Sequence, residues 1–402
     1  MKSKSYFIPL ISLLLASLPL PLIVSTLVLA VLIAYTIYYA IVNHSKPVLQ
    51  KEQYVFIAFY ALSAISYFWS INKPLSLIGV ERKVAFVLIP LLFTVIPPFK
   101  QQERNQIFYN FTIAMTAYAL FFILSGSLFY FQTGSLENLT HHKLVSPLNL
   151  NRIYVSLFTS ITLLYQVIKT KRSKQKTSML VILSVFLILL SSKTIIITTL
   201  LLVLFYILKK NLSFNKKALF LPLFILTILL VSNKINPRFF SELIPSKYKE
   251  IIQATDFKKN YYFNGAELRI FYTRFLAEYI REKPSLLLSG FGLNASQEMI
   301  AKKCVNYRVP DGYGTTYNFH NQFNQTLAET GVITVLLILY LFFIALKRSW
   351  KNTDFFGFAV IFILFMLMNT ESIFNRQRGM YFFLIVYFLI FATKTNGLQS
   401  NK

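Results

Sequence analysis

The sequence predicts an all-α polytopic membrane protein with about twelve transmembrane helices and one large helical loop late in the chain. Hydrophobic residues make up 55% of the chain, charged residues only 14%, and the mean hydropathy is +0.55. Apolar runs long enough to cross a hydrocarbon core of about 30 Å as helices recur along the whole chain. A transmembrane β-barrel would instead show alternating segments of roughly ten residues. These observations favour a helical bundle over a soluble domain.

The predicted spans are apolar runs bounded by polar, proline or glycine breaks. They lie near residues 6–19, 22–42, 54–70, 84–97, 107–131, 150–168, 178–191, 194–208, 218–232, 331–346, 354–369 and 380–393. The chain is thereby expected to divide into an N-terminal transmembrane bundle (1–232), a long loop (233–330) and C-terminal transmembrane helices (331–402). The bundle would hold about nine spans and the C-terminal part about three.

The basic residues predict the orientation of these spans. The net charge is +26, but Lys and Arg cluster in short loops such as 169–176 and 209–217. By the positive-inside rule these loops and both termini lie in the cytoplasm, and the loop 233–330 lies outside. Short clusters between spans suit membrane topology and argue against a nucleic-acid partner.

Cysteine usage and glycine patterns exclude several classes of chemistry. The only cysteine is Cys304, which excludes an internal disulfide and a cysteine-ligated metal site. No glycine-rich nucleotide-binding loop occurs, so an ATP-driven machine is not expected.

His320 is the first candidate for chemistry. In TTYNFHNQFNQTLAETGVITVLL (315–337) a polar helical segment runs into an apolar run at Gly331. The pattern predicts that His320 begins a helix capped by Asn318 and shares one face with Asn324. Histidine titrates near neutral pH, so at this boundary it can accept a proton from an attacking hydroxyl. The alternative is an interfacial histidine that snorkels or caps.

The segment 264–284 predicts a well-delimited helix. Asn264 and Glu267 resemble a capping box at its start, and Pro284 stops it. Glu278 stands four residues after Arg274 and three before Arg281, so both arginines are expected to have ion-pair partners.

Arg269 differs from the other arginines of this helix. The residues three and four positions after it are Tyr272 and Thr273, neither of which is a carboxylate. Its guanidinium is therefore a candidate for binding a phosphate. A solvated arginine, or one with a distant carboxylate partner, is the alternative.

Further basic residues are expected at the outer ends of the spans. LLSSKTIIIT (189–198) places Lys193 at a break between two apolar runs, which marks either a tight turn or a site in the bundle. Arg82 and Arg376 lie at the outer ends of other predicted spans. Together with His320 they would form an anion-binding rim, although each alone could be an ordinary interfacial anchor.

These motifs resemble the O-antigen ligase and polymerase superfamily of bacterial membrane glycosyltransferases. GFGLNAS (290–296) and FHNQFNQTLAETGVI (319–333) resemble its G-x-G and His-Asn signatures, which include Gly290, Gly292 and Asn321 here. LRIFYTRFLAEYIREKPSLLLSGFG resembles its arginine helix, and LLSSKTIII its serine turn.

The chain departs from the family pattern at several positions. Lys193 replaces the usual arginine of the serine turn, and Asn324 replaces an apolar residue. Thr334 stands where the family has a second glycine. A histidine often found at the head of the middle span is missing, and Asn151 and Arg152 stand in that region. These departures bear on which member of the superfamily the chain resembles, more than on the resemblance to the superfamily itself.

The resemblance implies an enzyme of the bacterial inner membrane whose long loop is periplasmic. The donor would be a glycan on undecaprenyl diphosphate, and no metal, nucleotide or other cofactor would be required. His320 would activate the acceptor hydroxyl with Arg269 beside it. Arg269 and Lys193 would hold the diphosphate, because fixed cations stabilise a leaving anion. Arg82 and Arg376 are further candidates for the diphosphate because of their place at the outer ends of the spans, and not because of the resemblance. Asn321, Asn324, Gly290 and Gly292 would support the site.

Three functions remain open on the sequence. A ligase would transfer the finished glycan to lipid A-core or a similar acceptor, and the motif set favours it. A polymerase would join repeat units on the same lipid carrier. A polysaccharide or lipid transporter is the third, but it would be expected to show inverted repeats and ionisable residues deep in broken helices. The partners in every case include membrane lipids.

Overall fold

The computed structural model describes residues 5–169, 173–209, 248–257, 261–310, 313, 318–391 and 393–394. Within them the fold is helical, apart from the two-residue strands β1 (Phe99–Lys100) and β2 (Thr393–Lys394), which pair in parallel. The all-α class is therefore confirmed for the described residues. The predicted span 218–232 and the first part of the predicted loop lie outside them.

The first part of the chain forms ten helices that precede the predicted loop. They are α1 (Phe7–Ser17), α2 (Leu22–Val42), α3 (Lys51–Ile65), α4 (Lys73–Lys83), α5 (Ala85–Val95), α6 (Gln101–Thr133), α7 (His141–Leu144), α8 (Arg152–Lys169), α9 (Lys174–Leu190) and α10 (Lys193–Lys209). Short 3-10 turns follow α3 at Ser66–Trp69 and flank α7 at Leu136–Leu139 and Ser146–Leu148.

The described residues after 247 form eight further helices. They are α11 (Tyr248–Gln253), α12 (Gly265–Glu282), α13 (Leu286–Ser289), α14 (Ser296–Asn306), α15 (Gln322–Thr330), α16 (Val332–Lys351), α17 (Phe355–Met368) and α18 (Gln377–Phe391). A 3-10 turn at Ile373–Asn375 lies between α17 and α18.

The chain is a membrane protein with several candidate membrane-spanning helices. Three described helices, α2, α6 and α16, are long and apolar enough to cross a bilayer, and α1, α17 and α18 are shorter apolar helices. A helix of 20 residues such as α16 is about 30 Å long, which matches the hydrocarbon core. The count of about twelve spans stays a prediction.

Two separate hydrophobic clusters hold the described residues together. The larger one joins α1–α3 and α5–α10 to α16–α18, and the nearly completely buried α18 lies within it. The smaller one, from Ile251 to Ala328, joins α11–α15. The helix α15 belongs to the smaller cluster and continues directly into α16, which belongs to the larger. The candidate site lies at this transition.

Candidate functional site

The turn before α15 places His320 just outside the helix. The helix begins at Gln322, and its N-cap is Asn321, whose side chain accepts hydrogen bonds from the N–H groups of Phe323 and Asn324. The prediction that Asn318 caps a helix starting at His320 is wrong. Asn318 instead accepts a hydrogen bond from the His320 N–H at 2.8 Å. His320 has a left-handed backbone with φ 45°, so it ends a turn and is not in the helix.

His320 lies beside a buried carboxylate. Its Nδ1 atom is 3.6 Å from Oε2 of Glu371, in the connection between α17 and α18. The imidazole is 26% exposed, whereas the Glu371 side chain is only 6% exposed. The carboxylate faces the Nδ1 side of the ring, so Nε2, on the opposite side, is the ring atom suited to accept a proton from a substrate hydroxyl.

The Arg269 guanidinium binds the backbone on both sides of this pair. Its Nε donates to the carbonyl oxygens of His320 (3.3 Å) and Thr370 (3.1 Å), and Nη2 donates to Thr370 at 2.8 Å. Nη1 donates to the carbonyl of Gly265 at 2.8 Å. Since Thr370 immediately precedes Glu371, one guanidinium links the backbone of the histidine to that of its carboxylate partner. The structure thus brings Arg269 and His320 together.

Two asparagines add further links to the start of α15. The Asn321 side chain donates to the carbonyl of Asn369 at 3.2 Å, close to the Thr370 carbonyl that Arg269 contacts. Asn324 donates to the Thr273 hydroxyl of α12 at 2.8 Å. The turn at His320 is therefore tied to α12 and to the end of α17.

The glycine motif holds the other end of α15. The N–H groups of Phe291 and Gly292 donate to the carbonyls of Ala328 and Glu329 at 2.7 and 2.9 Å, which satisfies carbonyls that a helix end leaves without partners. Gly290 has φ +64°, and a Cβ there would collide with the Glu329 backbone. Only glycine combines this conformation with so close an approach. Gly292 has φ +104° and lies against Ser70.

A buried ion pair secures the same end of α15. Lys83 Nζ lies 3.1 Å from Glu329 Oε2, and these side chains are 6% and 1% exposed. Gln325 donates to the other Glu329 oxygen at 2.6 Å. Arg82, the neighbour for which the sequence predicts a role, is exposed. The lysine next to it thus makes the contact with α15.

The serine turn places Lys193 at the first position of α10, partly buried. Ser191 adopts a left-handed conformation with φ 55° at the end of α9. Arg152, at the start of α8, donates through Nη1 to the carbonyls of Leu190 and Ser191 at 3.2 and 2.9 Å. Arg152 therefore stabilises the turn that leads into Lys193.

The basic residues after Glu371 differ in their surroundings. Arg376 is exposed, and no side-chain hydrogen bond or ion pair of Arg376 or Arg82 is found among the residues that the structure describes. Arg378 donates to the carbonyls of Leu18 and Leu20 at 2.9 and 3.0 Å. It anchors α18 to the turn between α1 and α2, so its guanidinium has a structural partner.

The helix α12 carries a second polar network. The capping box of Asn264 and Glu267 is confirmed, and so is the ion pair of Arg274 with Glu278 at 2.7 Å. The expected Glu278–Arg281 pair is not formed, because Glu278 turns to Lys303 of α14 at 3.1 Å, while Arg281 is exposed.

The charges around Glu278 change its acidity. Burial alone raises the pKa of the Glu278 carboxyl, but hydrogen bonds from Tyr307, Arg274 and Lys303 outweigh it, so that the pKa lies below its ordinary value. The Tyr307 hydroxyl donates to both carboxylate oxygens, at 2.8 and 2.9 Å. This network ties α12 to α14 and to the residue that follows it.

A family match covers most of these elements. Residues 178–339 match the family model described as O-antigen ligase. Over these residues the chain is similar to the O-antigen ligase family. The matched segment includes Lys193, Arg269, Gly290 and His320 but ends before Glu371. No curated protein matches the chain.

Sequence reasoning missed partners of the candidate site that come from distant parts of the chain. Lys83, Arg152 and Glu371 are each far in sequence from the residues they support, and no local spacing connects them. The one signal for Glu371 in the sequence is that it is the single acid of NTESIFNRQRG (369–379), which also holds two arginines. In the part of the chain that the structure describes, no group of three or more His, Cys, Asp or Glu side chains could hold a metal ion.

Proposed function

We propose that the protein is an O-antigen ligase-like glycosyltransferase that moves a glycan from undecaprenyl diphosphate to an acceptor hydroxyl. The observation that carries the proposal is the His320–Glu371 pair, with Nδ1 and Oε2 3.6 Å apart. His320 lies inside the family-matched segment. The family match supports a lipid-linked glycan as the class of substrate. The acceptor is lipid A-core or a similar glycan at the periplasmic face of the inner membrane.

The proposed reaction is a displacement at the anomeric carbon. His320 Nε2 takes the proton of the acceptor hydroxyl as its oxygen attacks, and Glu371 stabilises the imidazolium that forms. A bond forms between the acceptor oxygen and the anomeric carbon, and the bond from that carbon to the diphosphate breaks. Undecaprenyl diphosphate leaves with the electron pair. The reaction is metal-independent in this proposal, because fixed cations stabilise the leaving charge.

Arg269 is proposed to act first as a positioning residue. Its hydrogen bonds to the carbonyls of His320 and Thr370 hold the backbone of the base at a fixed position relative to the backbone of its carboxylate partner. An arginine beside the base also supplies positive potential for a diphosphate. Lys193, Arg82 and Arg376 remain proposed phosphate contacts. Of these, Arg82 and Arg376 are exposed and therefore accessible to a substrate.

The deciding experiment uses a strain that lacks the gene. A ligase predicts loss of all glycan on lipid A-core while lipid-linked polymer accumulates. The alternative polymerase predicts that a single repeat unit remains on the core. Purified protein with lipid-linked donor and core acceptor should form the coupled product, and a product that only lengthens the lipid-linked chain would overturn the ligase assignment.

A further inference from the structure

The short helix α13 carries exposed leucines although it belongs to the predicted loop. Leu286 is buried in the smaller hydrophobic cluster, whereas Leu287 and Leu288 are 41% and 63% exposed. Consecutive exposed leucines cost free energy in water, at about 25 cal/mol per Å² of apolar surface. The exposed side of α13 is thus suited to an apolar environment.

This exposed surface continues onto a candidate membrane span. A Cβ at Gly331 would collide with the carbonyl oxygen of Leu288, so α13 packs directly on the start of α16. On α16, Ile333 and Leu336 are 50% and 56% exposed, and their spacing places them on one face of the helix. Since α16 qualifies as a membrane span, its exposed apolar face is a surface for lipid.

The two tryptophans of the chain mark the two ends of α16. Trp69 donates its indole N–H to the carbonyl of Ser289, at the end of α13, at 2.9 Å, and the residue is 45% exposed. Trp350 lies in the last turn of α16 and is 55% exposed. Tryptophan is enriched at both membrane–water interfaces because one edge of its ring is polar. The helix length of about 30 Å between them equals the hydrocarbon thickness.

We infer that α13 and Trp69 form an interfacial anchor, in which Leu287, Leu288 and the Trp69 ring contact membrane lipids at the level where α16 enters the bilayer. The backbone of α13 suits this position. The N–H groups of Leu288, Ser289 and Gly290 are all bonded to carbonyls of residues 285 and 286, and unpaired backbone groups are what exclude irregular segments from lipid.

The anchor changes the picture of the predicted periplasmic loop. The residues around 286–289 would rest in the membrane boundary, and the glycine motif follows immediately. The smaller hydrophobic cluster would thereby be held at a fixed height above the membrane, together with the turn that carries His320. This inference concerns lipid contact and does not depend on the proposed transfer reaction.

Fluorescence of single-tryptophan variants tests the depth of Trp69. Trp350→Phe leaves Trp69 as the only tryptophan, and Trp69→Phe leaves Trp350 as a matched interfacial reference. Both proteins are reconstituted into vesicles of lipids brominated either near the headgroup end or near the methyl end of the acyl chains. We expect Trp69 emission to be quenched, and more by the shallow bromines. Equal emission of Trp69 with brominated and ordinary lipid would overturn the anchor.

A spin label at Leu288 tests the helix itself. Leu288→Cys and the solvent reference Lys302→Cys are made in a Cys304→Ala background; Lys302 is 64% exposed. The label at 288 should collide more with oxygen than with a water-soluble nickel complex, and the label at 302 should show the reverse. A label at 288 that behaves like the one at 302, as an aqueous or protein-covered surface would, contradicts lipid contact.

Discussion

Nδ1 of His320 lies 3.6 Å from Oε2 of Glu371, and the backbone carbonyls of His320 and Thr370 bind the same arginine side chain. The two residues are therefore held together both by their side-chain contact and by the arginine that binds their neighbouring backbone carbonyls. Such a fixed arrangement suits a proton acceptor, since the geometry needs little reorganisation when charge develops.

The variant His320→Asn should lose transfer by about 10²–10⁴-fold, the usual contribution of a general base. Asparagine tolerates the left-handed backbone found at φ 45°, so the turn is retained. Initial rates with lipid-linked donor in proteoliposomes measure the effect. His44→Asn is the matched control, because His44 is exposed and has φ 49°. Wild-type rates for His320→Asn would return His320 to an interfacial role.

Replacing Glu371 by glutamine keeps its shape and removes its charge. We expect a fall in transfer rate of about one to two decades, since a charge-assisted contact contributes roughly 1.5–3 kcal/mol. Glu81→Gln, at an exposed carboxylate, should leave the rate unchanged. The same assay applies, and unaltered kcat in Glu371→Gln would show that the carboxylate does not assist the histidine.

Substitutions of Arg269 distinguish a positioning role of this side chain from a role of its charge alone. Lysine keeps the charge but lacks the planar fork that reaches the carbonyls of Gly265, His320 and Thr370. Arg269→Lys should therefore lose nearly as much activity as Arg269→Gln, about one to two decades. Arg281→Gln, an exposed position of the same helix, should have no effect. Near-normal rates for Arg269→Lys would mean that charge alone matters.

The opposite result is expected at Lys193. Arg152 already fixes the serine turn through the carbonyls of Leu190 and Ser191, so Lys193 is proposed to contribute charge. Lys193→Arg should keep most of the activity, and Lys193→Gln should lose about one to two decades. Transfer rates measured at several concentrations of the lipid-linked donor test this difference between the two variants. Equal rates for Lys193→Gln and wild type would remove Lys193 from the diphosphate site.

The Glu278 network predicts acid sensitivity of the smaller cluster. The pKa of the Glu278 carboxyl is below its ordinary value in the folded protein. The ionised carboxylate therefore stabilises the fold above the unfolded pKa, and this stabilisation is lost as pH falls through the lowered pKa. Glu278→Gln should lower the thermal unfolding midpoint at neutral pH and flatten its dependence on acid pH. The exposed pair of Asp256 with Arg308 provides the control, because Asp256→Asn should change little. A midpoint for Glu278→Gln equal to wild type would contradict the network.

Local features of the fold could be predicted from the sequence because their causes are local. The start of α12 follows from Asn264 and Glu267, three residues apart, and the apolar runs of α2 and α16 follow from composition. The start of α15 was misplaced because both Asn318 and Asn321 are good capping residues. The positive φ of His320 decides between them, and the contacts of this turn with α12 and the end of α17 come from parts of the chain that local spacing does not connect to it.

The partners of the candidate site could not be predicted because their causes are not local. Glu371, Arg152 and Lys83 act across helix packing, and nothing within a few residues of each shows which surface it will meet. The sequence also favoured Arg82, although the burial of its neighbour depends on where Glu329 lies. Which side chain becomes the buried partner depends on the packing of the whole bundle.

The buried pair of Lys83 and Glu329 also imposes an order on chain synthesis. The two residues are 246 positions apart, so the ribosome needs roughly 10–50 s after Lys83 to make Glu329. During that interval the end of α4 carries a cation without its final counter-ion. The early helices therefore cannot reach their final packing around Lys83 until the helix that carries Glu329 has been translated.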